Sequence, residues 1–150
     1  MRRFWLPAAA PIAALVMGAV LGTLDAARAQ GSTPIAIGET SAPEAEVEGA
    51  LRRALSEELG AVRGVSVTSR RRARWVLRGS ITRLDVRRDG ERNAIECEVN
   101  LVVAERGNVR LMLQGRAAAR GAHLERLQES AIRAAVRGAL RPLSETLRRR

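Results

Sequence analysis

Few side chains in this sequence could carry out covalent or metal chemistry. It contains one cysteine, Cys97, and one histidine, His123. A zinc site takes about three or four N, S or O ligands from the protein, which this pair does not supply. A thiol–imidazole pair would need Cys97 to point outward, but the alternation of its strand turns it inward. We expect no metal site, and cysteine–histidine catalysis is the least supported hypothesis for this chain.

Two pairs of carboxylates are the remaining candidates for acid–base work. Glu57 and Glu58 lie on the polar side of a predicted helix, and Glu96 and Glu98 on the wet face of a predicted strand. Carboxylates in open solvent are well screened and do not form an acid–base couple. The sequence also lacks a phosphate-binding glycine loop and a nucleophile elbow. We therefore expect a non-enzymatic protein without a cofactor.

Positive charge is the most distinctive chemical feature of the chain. It has 26 basic residues against 16 acidic ones, a formal net charge of +10, and every basic residue is arginine. Such a charge favours anionic partners such as phospholipid heads, lipopolysaccharide, acidic glycan or nucleic acid. A genome that encodes arginine in place of lysine would produce the same composition, so both explanations stay open.

Seven arginines around one apolar run could form a basic stripe that contacts an anion or a partner protein. They are Arg70, Arg71, Arg72, Arg74, Arg78, Arg87 and Arg88. Four of them fall in one short segment between two predicted strands. The alternative is a solvated turn beside a sheet edge, because short charge runs are usually just solvated.

The first 29 residues have the layout of a secretory signal peptide. Two arginines precede an uncharged apolar segment, Phe4–Leu24, which leads to the small-residue pattern Ala27-Arg28-Ala29. We predict cleavage after Ala29, which leaves residues 30–150 as one periplasmic domain with no membrane span. The alternative is an uncleaved anchor, because about 20 apolar residues can span a bilayer.

Hydrophobic periodicity predicts an α+β fold with the element order β-α-β-β-β-β-α. We expect a two-layer sandwich, in which two helices pack on one face of a mixed, mostly antiparallel sheet. The first helix is predicted to begin at Thr40 or Ser41, whose hydroxyls are good N-caps. The predicted strands are Ile35–Ile37, Val65–Thr68, Trp75–Val86, Ala94–Glu105 and Val109–Ala119.

The run Ala73–Val86 is predicted to be the strand in the middle of the sheet. Its apolar phase changes after Ile81, which predicts a bulge near Thr82-Arg83. Gly79 predicts a helix packed closely across the strand. In the next strand, Cys97 lies in the inward phase and Glu96, Glu98 and Asn100 in the outward phase, so one face of the sheet should be wet.

Two runs carry a resemblance to a known family: Pro34-Ile35-Ala36-Ile37 before the first helix, and Ala73-Arg74-Trp75-Val76-Leu77-Arg78-Gly79-Ser80-Ile81 after it. With this element order, residues 30–150 resemble the small envelope α/β domain of curli-secretion lipoproteins, penicillin-binding-protein activator lipoproteins and the amino-terminal domain of the TolB translocation protein. The resemblance implies a non-enzymatic binding module of the cell envelope. The lipid-bearing cysteine and a membrane-spanning insertion are both missing, so lipid anchoring and pore formation are not carried over.

We therefore expect a periplasmic protein-interaction module with an envelope protein as its partner. Its contact surface would be the wet sheet face or the Arg70–Arg74 loop. The alternative is an arginine-rich binder of lipopolysaccharide or acidic glycan. The α-β-β-β-α portion also resembles double-stranded-RNA-binding domains, but export argues against nucleic acid. The sequence leaves open which partner is bound and whether the chain oligomerises.

Overall fold

The computed structural model of this protein describes residues 31–148. The predicted signal peptide and its cleavage site lie outside these residues. Within residues 31–148, no helix is long and apolar enough to cross a membrane.

The described residues form one mixed sheet and three helices. The order along the chain is β1 (Thr33–Ser41), α1 (Ala45–Ala61), β2 (Val65–Val67), β3 (Trp75–Asp89), β4 (Arg92–Glu105), β5 (Asn108–Gly121), α2 (Leu124–Leu140) and α3 (Leu143–Arg148). The strand order in the sheet is β2-β1-β3-β4-β5. β1 runs parallel to β2 and β3, whereas β3, β4 and β5 are antiparallel neighbours. The predicted α+β class is confirmed, and β3 lies mid-sheet as predicted.

Both long helices pack on the same face of the sheet, which we call the inner face. α1 contacts β1 and β3, α2 contacts β4 and β5, and the two helices contact each other. The inward side chains of the strands interdigitate with the apolar helix stripes and form one core. Its largest fully buried members include Ile35, Leu51, Leu55, Leu77, Leu101 and Ile132. The predicted two-layer arrangement is therefore confirmed.

Two strand glycines allow the helices to approach closely. A Cβ atom at Gly79 would lie 2.8 Å from Cδ1 of Leu55 in α1. A Cβ atom at Gly115 would overlap the carbonyl oxygen of Ala135 in α2. The prediction that Gly79 lies beneath a helix is confirmed, and Gly115 has the same role under the second helix.

The predicted start of the first helix at Thr40 or Ser41 is wrong. Both residues extend β1, because their backbones pair with β3 beyond an irregularity in its register. The Thr40 hydroxyl donates a hydrogen bond to Oε1 of Glu48 at 2.9 Å instead of capping the helix. α1 begins at Ala45, and Glu44 at its N-cap makes no side-chain capping bond.

Tight connections join the three antiparallel strands. The register of β3 against β4 shifts between Ile81 and Arg83, which confirms the predicted bulge. The β3–β4 turn contains Gly90 with φ +64, and the β4–β5 turn contains Arg106 and Gly107 with φ +50 and +87. Two successive residues with positive φ match the twist of the strands that such a turn connects.

Candidate functional site

The sheet face opposite the helices, which we call the open face, is a surface that the strands present to solvent. Among the described residues, no helix packs on it. Its side chains come from the outward phase of β3, β4 and β5, and Arg78, Glu96 and Arg116 are exposed there. The strand register divides this face into two halves of different chemistry.

The half near the β3–β4 turn is charged and is paired internally. Glu98 accepts hydrogen bonds from Gln114 and from Nη2 of Arg116, the latter at 3.2 Å. Arg83 Nε donates to Oδ2 of Asp85 at 2.6 Å. Arg83, Glu98 and Arg116 line a shallow depression of about 300 Å³ together with Glu96. Two arginines of this half are thus already paired with carboxylates.

The half near the β4–β5 turn is apolar. It consists of Val76, Val102, Ala104, Val109 and Met112, which adjoin across β3, β4 and β5. We call these five residues the apolar patch. Met112 is 71% exposed and Val109 is 59% exposed. Val76 and Val102 are half-buried and Ala104 is buried, so Met112 and Val109 are the exposed members of the patch. Exposed apolar side chains grouped in this way are typical of a protein contact site.

Sequence reasoning identified only one half of the open face. The predicted outward phase of Glu96, Glu98 and Asn100 is correct, and the next outward residues, Val102 and Ala104, are apolar. The missed signal is the loss of alternation in Leu101–Ala104 and Leu111–Leu113, where consecutive apolar residues place side chains on both faces. Such runs indicate a strand that is covered on two sides.

The arginines of the predicted stripe occupy separate parts of the molecule. Arg70, Arg71 and Arg72 are exposed in the β2–β3 connection, which is held by backbone bonds from Arg72 and Ala73 to Ser69 O at 3.0 and 3.1 Å. Arg78 lies on the open face of β3. Arg87 and Arg88 lie near the opposite end of β3, about 40 Å along the strand from the first three. Neighbouring strand residues also point to opposite faces, so Arg87 and Arg88 do not share a surface.

Arg74 belongs to a small cluster at the start of β3. Its Nε donates to Oε1 of Glu105 at 2.6 Å, and its guanidinium carbon lies 5.8 Å from the ring centroid of Trp75. Arg110 approaches the other oxygen of Glu105 at 3.3 Å. The hydrogen bond from Arg74 holds the pKa of Glu105 below its usual value. Arg74 is therefore committed to an internal contact.

The two residues considered for covalent chemistry are far apart. Cys97 is 2% exposed on the inner face, and burial raises the pKa of its thiol to about 11. His123 is exposed at the N-cap of α2, two residues beyond the end of β5, and that end lies about 13 Å along the strand from Ala117, the residue that pairs with Cys97. Because the thiolate is the nucleophile, a protonated buried thiol is unreactive. Within residues 31–148, no three His, Cys, Asp or Glu side chains are grouped for a metal ion.

Comparison with known proteins identifies relatives by fold only. No protein-family model and no curated protein matches the sequence. The PelC dodecamer from Paraburkholderia phytofirmans, in space group P6, is similar with a TM-score of 0.59 and 14% identity over 77% of this chain and 89% of that chain. A variant PelC dodecamer from the same organism, in space group C2, has a TM-score of 0.56 and 15% identity, and the match covers 76% of this chain and 89% of that chain. A minor lipoprotein from Acinetobacter baumannii has a TM-score of 0.49 and 18% identity, and the match covers 77% of this chain and 92% of that chain.

These likenesses concern architecture. At identities of 14 and 15%, the two PelC structures show that the chain shares their fold and no more. They agree with the resemblance to a small bacterial α/β domain at that level. They do not distinguish the curli-secretion, penicillin-binding-protein activator or TolB domains as particular relatives.

Proposed function

We propose that residues 30–150 form one exported domain that acts as a non-enzymatic protein-interaction module of the bacterial envelope. The layout of residues 1–29 supports export to the periplasm. The resemblance to the curli-secretion, penicillin-binding-protein activator and TolB domains supports an envelope role. The five strands and the long helices of the described part share one hydrophobic core, which supports a single domain.

The apolar patch is the single observation that carries the proposal. Met112 and Val109 remain mostly exposed although the helices of the chain bury the apolar side chains on the inner face. Arg78 and Gln114 border the patch with polar groups. An apolar centre that contains methionine, with arginine at its rim, has the composition of a protein interface.

A second copy of the chain is the first partner to test. The similar PelC structures are dodecamers, which supports self-association in a protein of this fold. In addition, β5 is the last strand of the sheet order and offers a free edge of 14 residues. Free edges readily pair with another chain.

The alternative, a binder of lipopolysaccharide or acidic glycan through a seven-arginine stripe, receives less support from the geometry. Arg74 is paired with Glu105, and Arg87 and Arg88 lie far from Arg70–Arg72. Only the loop that contains Arg70, Arg71 and Arg72 keeps a concentrated charge. Nucleic acid stays the least favoured partner because of the predicted export.

Light scattering on purified residues 30–150 tests the proposal. We expect a mass of several copies for the wild type and of one copy for Met112→Arg. Ala118→Arg is the matched control, because it adds the same side chain to the same face of β5, about 20 Å from Met112. A monomeric wild type that also retains no partner from envelope extract at near-physiological salt would refute the proposal. Equal effects of the two variants would remove the apolar patch as the contact surface.

A further inference from the structure

The two ends of the sheet differ in charge at their connections. At the end where β1 and β3 begin, the four described connections are 62–64, 68–74, 106–107 and 141–142. They hold no carboxylate and seven arginines: Arg63, Arg70, Arg71, Arg72, Arg74, Arg106 and Arg141. The three connections at the other end, 42–44, 90–91 and 122–123, hold Glu44 and Glu91 and no arginine. We call the first end the basic end.

The guanidinium groups of the basic end are accessible. All seven arginines are exposed, and among the described residues only Arg74 of the seven forms an ion pair, with Glu105. Charges that lie within a Debye length, about 8 Å at physiological salt, reinforce each other in the potential they produce. The basic end therefore presents a concentrated positive field, whereas on the open face Arg83 is paired with Asp85 and Arg116 with Glu98.

The chain also enters the domain at the basic end. The N–H of Thr33, the first residue of β1, donates to Gly64 O at 2.7 Å, beside Arg63. The uncharged segment Phe4–Leu24 is joined to Thr33 through residues 25–32, which can span at most about 28 Å. Until the predicted cleavage after Ala29, a bilayer that holds that segment lies within this distance of the basic end.

The end of α3 lies there as well. Leu147 lines a cavity of about 130 Å³ together with Thr33 and Trp75. The sequence continues from Leu147 with three further arginines, 148–150. Both the apolar amino-terminal segment and the basic carboxyl terminus of the sequence thus connect to the same end of the sheet.

We propose that the basic end binds the anionic phospholipid surface of a bilayer. The inference rests on the proposed envelope location and adds a second surface to the proposed interaction module. Guanidinium groups match phosphate geometry and hold their charge at every physiological pH. Charge complementarity favours phospholipid, and the connection of the apolar segment to this end brings a bilayer, rather than a soluble polymer, to these arginines before the predicted cleavage. The strands then point away from the membrane, and the open face stays accessible to a partner protein.

Vesicle co-sedimentation of residues 30–150 tests the proposal without any contribution from the apolar segment. We expect binding to vesicles with about 30 mol% phosphatidylglycerol, little binding to pure phosphatidylcholine, and loss of binding as salt rises. The triple variant Arg70→Ala, Arg71→Ala, Arg72→Ala should weaken the partition coefficient by roughly 100-fold.

The matched control removes three exposed arginines from the opposite end: Arg87→Ala, Arg88→Ala, Arg92→Ala. It has the same net charge and should change the partition coefficient by less than about threefold, since these groups lie more than a Debye length from the surface. Equal losses in the two triples would show that net charge alone drives binding and would overturn the proposal. Binding to a soluble acidic glycan but not to anionic vesicles would overturn it as well.

The same triples separate this proposal from the assembly proposal. Their masses by light scattering should equal that of the wild type, because none of the six arginines belongs to the apolar patch. Failure to bind vesicles would therefore leave the protein-interaction function standing, and a monomeric wild type would leave membrane binding standing. Circular dichroism confirms that each triple is folded.

Discussion

Val102 and Val103 are neighbours in β4, but they lie on opposite faces of one sheet. Val103 points to the inner face and is 1% exposed, whereas Val102 belongs to the apolar patch of the open face. The chain buries the first side chain itself, and the described residues leave the second partly in solvent. Equal hydrophobicity on the two faces thus has two consequences: stability on the inner face and, in the function that we propose, association on the open face.

The largest expected effect lies on the inner face. Gly115→Ala should destabilise the fold by about 3 kcal/mol, because the new methyl group would meet the backbone of α2, which moves only if the helix shifts. Chemical denaturation measures the loss. Gly138→Ala is the control, since Gly138 is exposed in the same helix with nothing within 4 Å of an added Cβ. The control should be neutral or stabilising by about 0.5–1 kcal/mol. If Gly115→Ala were as stable as the wild type, α2 would not pack on β5 as closely as described.

The second prediction tests whether water is excluded from the inner face around Cys97. Burial raises the pKa of Cys97 from 9.0 to about 11, so between these values the unfolded chain releases a proton that the folded chain retains. The free energy of unfolding should be constant below pH 9, fall by about 2–3 kcal/mol as pH rises to 11, and then level off. Because the sequence has no lysine and no tyrosine, Cys97 is the one side chain that titrates in this window. Thermal melts of the wild type and Cys97→Ala should diverge above pH 9, and parallel curves would contradict a buried thiol.

The third prediction applies one substitution to the two neighbouring valines. Val103→Ala should lower the free energy of unfolding by about 2 kcal/mol, because it removes two buried methyl groups and leaves a cavity. Val102→Ala should change it by less than about 0.5 kcal/mol in the monomer. Light scattering measures the mass of each variant and denaturation measures its free energy of unfolding, and together the two measurements separate the two roles. Equal destabilisation by both variants would show that the open face is part of the core.

The smallest effect concerns the charged half of the open face. Arg116→Ala removes the ion pair with Glu98, and an exposed cross-strand pair contributes at most about 1 kcal/mol. The loss should shrink in high salt, because salt screens exposed charges. Denaturation at two salt concentrations measures it. A loss that does not depend on salt would indicate that Arg116 contributes by packing and not by charge.

Much of the fold could be predicted from the sequence because its signals are local. The alternation in β4 placed Cys97 on the inner face, the phase change after Ile81 located the bulge, and Gly79 indicated a close helix. The start of α1 was predicted wrongly, because pairing with β3 extends β1 through Ser41. That pairing joins residues about 40 positions apart and leaves no mark in the local pattern.

The candidate surfaces were harder to predict than the fold. The seven arginines looked like one stripe, but the length of β3 separates Arg70–Arg72 from Arg87 and Arg88. The apolar patch depends on which residues of β3, β4 and β5 stand side by side, which is decided by cross-strand register. The basic end consists of four short connections that are distant in sequence. They meet at one end of the sheet only because of the strand directions, which the local sequence does not reveal.

The position of β1 between β2 and β3 has a consequence for how the chain acquires its structure. β3, β4 and β5 are joined by two-residue turns, so this meander closes small loops and should form early. Among the described strands, β1 is synthesised first, but its partners on both sides arrive later, and its pairing with β3 closes a long loop. We expect the first of these strands to be the last to dock, which would keep it available for the predicted translocation.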